Sequence, residues 1–466
     1  MAIAGSDFVQ PLAPRGSEGS LSVSALPKPM VSTAWYAGWH VVDFPLSTIN
    51  WSKYTQMTYA FAVTTPDPAI ISVMESDEVL IPQFVAAAHK NEAKASLSIG
   101  GWTGSRWFSP NVGSSQNRTA FVKSVSGLVK KYKLDGVDFD WEYPGRQGIG
   151  CNIVNSNDTV HFLSFLQELR QSLGPNVTLS AATDVTPFAG PSGAPSPDIS
   201  EFSKVLDYIA IMNYDLKSSP STGAGPNAPL DDACAPPDRQ FGSATSAVSA
   251  WTAAGMPFNQ IVLGVPAYGR SYRVAPVDAF VKGSNTTLAL YPFYDMNHKP
   301  PGDKWNGEGG LDVCGIYQPP GGVYAYPSLI EGGFLNSDGS VKHGIAYRYD
   351  ECSETPYVYN PETETLVTFD NAQSFASKGD FIKTMGLKGF AMWEAAGDPN
   401  NILINAILNG TMNGAPRTQK SPAAPGATSS TSSASHHLSW SRPRALENKM
   451  AIYLIFVFVV CGWAFL

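Results

Sequence analysis

With 466 residues, 43% of them hydrophobic, the chain can build one large domain or two ordinary ones around a sizeable core. Only 15% of residues are charged and the formal net charge is -8, an acidic balance that argues against nucleic acid or anionic membrane surfaces as partners. No C-x-x-C or H-E-x-x-H spacing occurs, so neither a zinc site nor any cofactor is expected.

In chain order, residues 1–30 show no apolar leader and read as a poorly ordered segment. Apolar, β-rich runs then recur at Ser32–Gly38, Thr55–Val63, Lys94–Ile99, Gly136–Glu142, Val177–Thr183, Tyr208–Tyr214, Gln260–Pro266 and Leu387–Trp393. Helical patterns fall between them at Val79–Asn91, Phe121–Tyr132, Val160–Leu173, Ala244–Ala254 and Ala372–Met385. Strands alternating with helices imply a parallel sheet with right-handed crossovers. Eight such units suggest an α/β fold of the closed (β/α)8 (TIM) barrel type, whose functional groups sit at the C-terminal strand ends. The gap between the seventh and eighth strands is too long for a plain crossover. Its Pro/Gly-rich, aromatic stretch 273–350 reads as an inserted α+β subdomain walling one side of a groove, the barrel being 31–272 and 351–412.

Beyond the barrel, 413–449 is a Ser/Thr/Pro-rich segment expected to be a disordered stalk. Residues 450–466 are an apolar tail that fits a glycolipid-anchor signal or a short membrane anchor, which would be the protein's sole membrane link. Either implies the secretory pathway and a cell-surface or extracellular location. Since no leader is visible, the expectation is that the start of the chain lies further upstream. Sequons at Asn50, Asn117, Asn157, Asn176, Asn285 and Asn409 are compatible with a glycoprotein. Cys151, Cys234, Cys314 and Cys352 form an even set with three possible pairings. Proximity of Cys151 and Cys234 to the ends of the fourth and sixth strands, and of Cys314 and Cys352 to the insertion, predicts Cys151–Cys234 and Cys314–Cys352 disulfides.

The run Asp135-Gly-Val-Asp138-Phe-Asp140-Trp-Glu142 concentrates the chemistry. On a strand, Val137, Phe139 and Trp141 share one face and Gly136, Asp138, Asp140 and Glu142 the other. Burying three carboxylates costs several kcal/mol each unless they share protons or find partners. Crowded and desolvated, at least one of them keeps its proton near neutral pH. A helix-loop-helix calcium site would need Gly and Glu at the sixth and twelfth positions, which counting from Asp138 hold Tyr143 and Ile149. A solvated acidic face is the other plain reading, opposed by the Val-Phe-Trp alternation.

This run resembles the D-G-x-D-x-D-x-E signature of glycoside hydrolase family 18, the chitinases. Ser98-Ile-Gly100-Gly101-Trp102 is similar to the family's third-strand motif, Met212-Asn-Tyr214-Asp215 to its sixth and Gly264-Val-Pro-Ala-Tyr268-Gly-Arg270 to its seventh, with Trp393 at the eighth. The insertion resembles that of bacterial-type, or fungal class V, members. The resemblance implies a chitinase hydrolysing β-1,4-N-acetylglucosamine linkages of chitin and its oligosaccharides, acting as a monomer without cofactor or metal. It implies substrate-assisted retaining catalysis, with the substrate's acetamido oxygen as nucleophile. Glu142 would be the acid/base, Asp140 would hold the acetamido N–H, Asp138 would share a proton with Asp140 and Tyr214 would steer the carbonyl. Tyr36, Phe61, Trp102, Met212, Asp215, Tyr268, Arg270 and Trp393 would bind sugar, with Trp35 and Trp39 as further groove candidates and Ser98 supporting Asp138 or Asp135. Two alternatives stay open at this point: a non-catalytic chitin-binding lectin, and an endo-β-N-acetylglucosaminidase acting on N-glycans.

Overall fold

The computed structural model describes residues 30–216, 223–305 and 309–413. The leader, the stalk and the apolar tail lie outside the described residues, apart from Met30 and the backbone of Asn413. Eight parallel strands close a ring: β1 (Val31–Ala37), β2 (Gln56–Thr64), β3 (Lys94–Gly100), β4 (Gly136–Asp140), β5 (Thr178–Thr183), β6 (Tyr208–Ile211), β7 (Ile261–Pro266) and β8 (Gly389–Trp393). Each pairs with its successor, and β1 pairs with both β2 and β8, so no edge is left. Helices α1 (Glu75–Lys90), α2 (Ser115–Tyr132), α3 (Asp158–Leu173), α4 (Ala244–Ala253), α5 (Ala372–Met385) and α6 (Ile402–Asn413) form the outer layer.

β4 illustrates why the ring closes with carboxylates inside it. Its outward face carries Phe139, which packs edge-on against Phe162 and Phe165 of α3, with ring centroids 6.0 and 5.3 Å apart. Each fully buried Phe contributes on the order of 2–3 kcal/mol. The strand can turn its acids inward only because this opposite face is held by the helices. At the end of β3, Gly100 and Gly101 adopt φ of +115° and +77°. A Cβ on Gly100 would meet the Asp140 carbonyl oxygen at 2.2 Å, so only glycine lets these strand ends approach.

The insertion is a five-stranded antiparallel sheet ordered Val323–Ala325, Tyr268–Arg273, Thr365–Thr368, Thr355–Asn360, Ala346–Asp350. Its third and fourth strands, and all of its second but Arg273, lie outside 273–350, so the sheet uses more of the chain than composition alone suggests. Tyr268–Arg273 is a continuation of β7 past Ala267, which carries the chain directly from the barrel into the sheet.

The disulfides correct the expected pairing. Cys151 bonds to Cys314 and Cys234 to Cys352, with Cα atoms 5.6 and 5.9 Å apart. Pairing by chain proximity fails because the insertion folds back over the barrel mouth. Each of its two cysteines therefore meets a barrel loop, Cys314 the one after β4 and Cys352 the one after β6. Among the described residues no helix is long and apolar enough to cross a membrane.

Lys378 of α5 forms an ion pair with Asp370, both side chains being wholly inaccessible. Burial pushes the Asp370 carboxyl up and the Lys378 ammonium down, and mutual attraction opposes both shifts. Replacing Lys378 by Met strands the carboxylate and should cost about 3–5 kcal/mol, whereas Lys378→Met with Asp370→Leu should regain most of it. An unpaired Asp370 has a raised pKa, so the single variant's deficit should grow as pH rises from 5 to 8. Thermal unfolding of both variants at the two pH values checks this.

Candidate active site

The strand register decides which carboxylate finds partners. At the level of Asp138, β3 presents Ser98 and β5 presents Ser180. Both hydroxyls donate to it, at 2.8 Å to Oδ2 and 2.7 Å to Oδ1, and the Trp35 indole N–H adds a third bond at 3.1 Å. Burial raises the Asp138 carboxyl while these three donors pull it back. One step up the strand the register places Asp140 between Gly100 and Ala182, neither of which carries a side-chain donor. Asp140 Oδ1 is buried and without a hydrogen-bond partner. Its pKa is raised well above the usual range, by burial first and then by the charges of Glu142 and Asp138. The charge of Asp138 is felt at Asp140, which is the neighbourhood the expected proton sharing between them requires.

Glu142 lies past the end of β4, in a loop. Ser105 Oγ accepts its backbone N–H at 3.0 Å, and the Asn152 amide donates to its carbonyl at 2.7 Å. Its side chain is almost wholly buried, and its carboxyl is pushed up to about 7, chiefly by desolvation and further by Asp215 and Asp184, with a hydrogen bond from Tyr143 opposing. Asp135 sits at the other end of the barrel, where Oδ2 accepts the Ala95 N–H at 2.8 Å and faces His89 Nε2 at 2.7 Å. Its place is structural.

β6 ends at Ile211, so Met212, Tyr214 and Asp215 lie on the loop above it. Asp215, at φ +58°, has its N–H accepted by Asn227 Oδ1 at 3.2 Å. Its Oδ1 accepts from the Tyr268 hydroxyl at 2.6 Å, from Arg270 Nε at 2.8 Å and from Arg270 Nη2 at 2.6 Å. The Tyr214 ring packs edge-on to that of Tyr268, with centroids 6.2 Å apart. Burial, then the negative charge around it, including Asp140, Asp215 and Glu142, holds the Tyr214 phenol well above its usual range, so its hydroxyl stays a donor. Met212 packs against the inner cluster that includes Trp35 and Tyr208.

Aromatic rings line the other side. Phe61 stacks between Trp393 and Trp39, at centroid distances of 5.6 and 6.2 Å, and lies over Gly101, where a Cβ would meet its ring at 2.9 Å. Trp39 and Trp102 are about half exposed, at 50% and 47%, and offer flat apolar faces to solvent. Tyr36 is a correction: it is 1% exposed, stacks on Phe84 and donates to the Phe44 carbonyl at 3.0 Å, so it belongs to the core between β1 and α1. The alternation that points Trp35 inward points Tyr36 outward. Sequence reading did not single out Ser180, Ser105, Asn152, Asn227 or the His40–Glu394 pair, which is 3.0 Å long. Ser180 carries a usable signal, a hydroxyl at the acid's own level on the next strand, once the register is known.

The model for glycosyl hydrolases family 18 matches residues 32–398. A "chitinase-like effector" of Moniliophthora roreri is 49% identical over 84% of this chain and 95% of its own length. "Chitinase A1" of Niallia circulans is 28% identical over 67% of this chain and 42% of its own. The crystal structure of a chitinase from Rhizomucor miehei superposes with a TM-score of 0.73 and 31% identity, covering 81% of this chain and 99% of that one. With the barrel, the acidic strand and these likenesses in agreement, the chain belongs to glycosyl hydrolases family 18.

Proposed function

We propose that the protein is a chitinase, hydrolysing β-1,4-linked N-acetylglucosamine chains with the substrate's own acetamido group as nucleophile. The observation that carries this reading is the unequal treatment of neighbouring carboxylates: Asp138 is saturated with donors, Asp140 has an orphaned buried oxygen, and Glu142 is pushed up to about 7 at the mouth. Glu142 holds a proton at near-neutral pH and can deliver it to the glycosidic oxygen, then recover it from water. The free Asp140 oxygen accepts the acetamido N–H, and its charge stabilises the oxazolinium-like cation as it forms. Tyr214 donates to the acetamido carbonyl and turns its oxygen toward the anomeric carbon. Trp393 and Phe61 give the pyranose an apolar floor. Arg270 and Tyr268 hold Asp215 in place.

The similarity to a "chitinase-like effector" favours a second reading, a protein that binds chito-oligosaccharides without cleaving them. Release of reducing ends from chitohexaose separates the two. Disulfides are characteristic of oxidising compartments, which supports our reading that the protein works outside the cytosol.

Glu142→Gln should lower kcat by at least about 10³-fold while the Kd for chitohexaose stays within about threefold. Asp140→Asn should cost more than about tenfold in kcat, and early products should carry the β-anomer by NMR. The wild-type kcat/KM should fall as pH rises through about 7, where Glu142 loses its proton, and Glu142→Gln should remove any residual limb there. The raised carboxyl also sets a stability trend. It favours the fold fully below the ordinary glutamate range and loses that benefit as pH rises through about 7. Glu142→Gln should therefore have the higher Tm at pH 8, with the gap narrowing at pH 4.

A further inference from the structure

The turn that follows the acidic strand carries a cation back toward the acid. In Tyr143-Pro144-Gly145-Arg146 the Arg146 N–H donates to the Tyr143 carbonyl at 3.2 Å, and Gly145 adopts φ +73°. Proline at the second position and a left-handed glycine at the third are what a type II turn requires. The turn folds Arg146 over the residue next to Glu142, with its guanidinium carbon 5.4 Å from the centre of the Tyr143 ring. Tyr143 in turn hydrogen-bonds the Glu142 carboxyl.

Strand register supplies the partner of that cation. β5 sets Ser180 beside Asp138 and Ala182 beside Asp140. Two residues further on, past the ends of both strands, the same alternation brings Asp184 to the level of Glu142. Asp184 Oδ2 lies 2.9 Å from Arg146 Nη2 and accepts from the Thr186 hydroxyl at 3.1 Å, and Thr186 Oγ1 accepts from Arg146 Nη1 at 3.1 Å. Asp184 Oδ1 accepts the Val185 N–H at 2.7 Å, and the Trp251 indole donates to the Asp184 carbonyl at 3.0 Å. The Arg146 and Asp184 side chains are 31% and 26% exposed, so solvent screens the pair only in part. Arg146 Nε is buried with no hydrogen-bond partner among the described residues, a cost the chain accepts to hold the guanidinium here.

The charged and titratable groups around Glu142 form a pattern. Asp140 lies below it on β4, Tyr143 beside it and Tyr214 on the loop after β6. From the β3 side its neighbour is the uncharged Ser105. Asp215 faces it from the β6 side and Asp184 from the β5 side, and both raise its carboxyl. Each of these two acids has its own arginine, Arg270 on Asp215 and Arg146 on Asp184. A paired carboxylate acts on its surroundings as a dipole, whose influence fades faster with distance than that of a bare charge.

We propose that Arg146 is a positioning residue for the reaction: it fixes Asp184 and the Tyr143 ring on the β5 side of Glu142 and balances the charge that Asp184 brings there. The inference rests on the chitinase reading of Glu142 and adds a residue that acts through the acid. Without Arg146 the Asp184 carboxylate is uncompensated, and Glu142 keeps its proton to higher pH. Without Asp184 the guanidinium is uncompensated, and Glu142 loses its proton at lower pH.

The test labels the glutamate carboxyl carbons of the full chain with carbon-13 and assigns Glu142 by the signal that Glu142→Gln removes. Its titration midpoint is followed by NMR beside the basic limb of kcat/KM on chitohexaose. Arg146→Met should move both up by at least about 0.5 pH unit, Asp184→Asn should move both down by at least as much, and the double variant should return to within about 0.3 unit of wild type. A purely structural role would lower activity in each variant and displace neither midpoint. Arg146→Lys keeps the charge and should stay within about 0.3 unit of wild type. Together with the nearly isosteric Asp184→Asn it decides the matter should Arg146→Met fail to fold. Single variants that shift in the same direction, or not at all, in a protein that cleaves chitohexaose overturn the role of Arg146 alone. Absence of cleavage by the wild type overturns the chitinase reading, and the part of Arg146 in the reaction with it.

Discussion

Three carboxylates share the inner face and mouth of one strand, and each charge placed there raises the work of ionising the next. The barrel settles this by distributing donors unevenly. Two serines and an indole surround Asp138 and offset part of the cost of keeping it charged in a dry interior. Glycine and alanine flank Asp140, so its oxygen is left with nothing to bind inside the protein. An orphaned buried acceptor costs about 1–3 kcal/mol, and on the proposed reading an incoming N–H would satisfy this one. Desolvation first, then the charges of Asp215 and Asp184, keep Glu142 from ionising early, against a hydrogen bond from Tyr143.

The insertion belongs to this arrangement. Its strand Tyr268–Arg273 leaves the barrel at the site, and its first residues place a hydroxyl and a guanidinium on Asp215. Without Arg270, Asp215 would add an uncompensated negative charge beside Glu142 and Tyr214. Both disulfides then bind the insertion to barrel loops, one beyond β4 and one beyond β6. The subdomain is thus tied to the barrel at three points, the strand and the two disulfides.

The barrel was legible because parallel strands covered by helices read as apolar runs at regular intervals, and α5 came out at the residues expected, Ala372–Met385. The acid run was legible because a period of two places charges on one face and aromatics on the other. What the chain did not disclose depends on neighbours in space. Tyr36 and Trp35 differ by one residue, and only the closed ring says which side is the interior. The disulfides follow from where the insertion lands, which no spacing reveals. Ser180 is one serine among many until register sets it beside Asp138. The helix Ile402–Asn413 lies beyond the last expected element, Leu387–Trp393, although its apolar residues recur at helical spacing.

The raised Glu142 carboxyl has a consequence for the order of events at the site. Part of its shift comes from desolvation by the protein alone, before any sugar arrives. On the proposed reading, a glycan lying in the groove removes the remaining contact with water, which raises that carboxyl further and strengthens every charge interaction around it. A group that is half ionised near pH 7 in the free protein would thus be fully protonated once substrate is seated. Charge then has to come from elsewhere to meet the cation that grows at the anomeric carbon. On the same reading that charge comes from Asp140, whose buried Oδ1 has no hydrogen-bond partner among the described residues and would take the acetamido N–H. Beneath it, Asp138 has the hydrogen bonds of Ser98, Ser180 and Trp35 to set against the burial that raises its carboxyl.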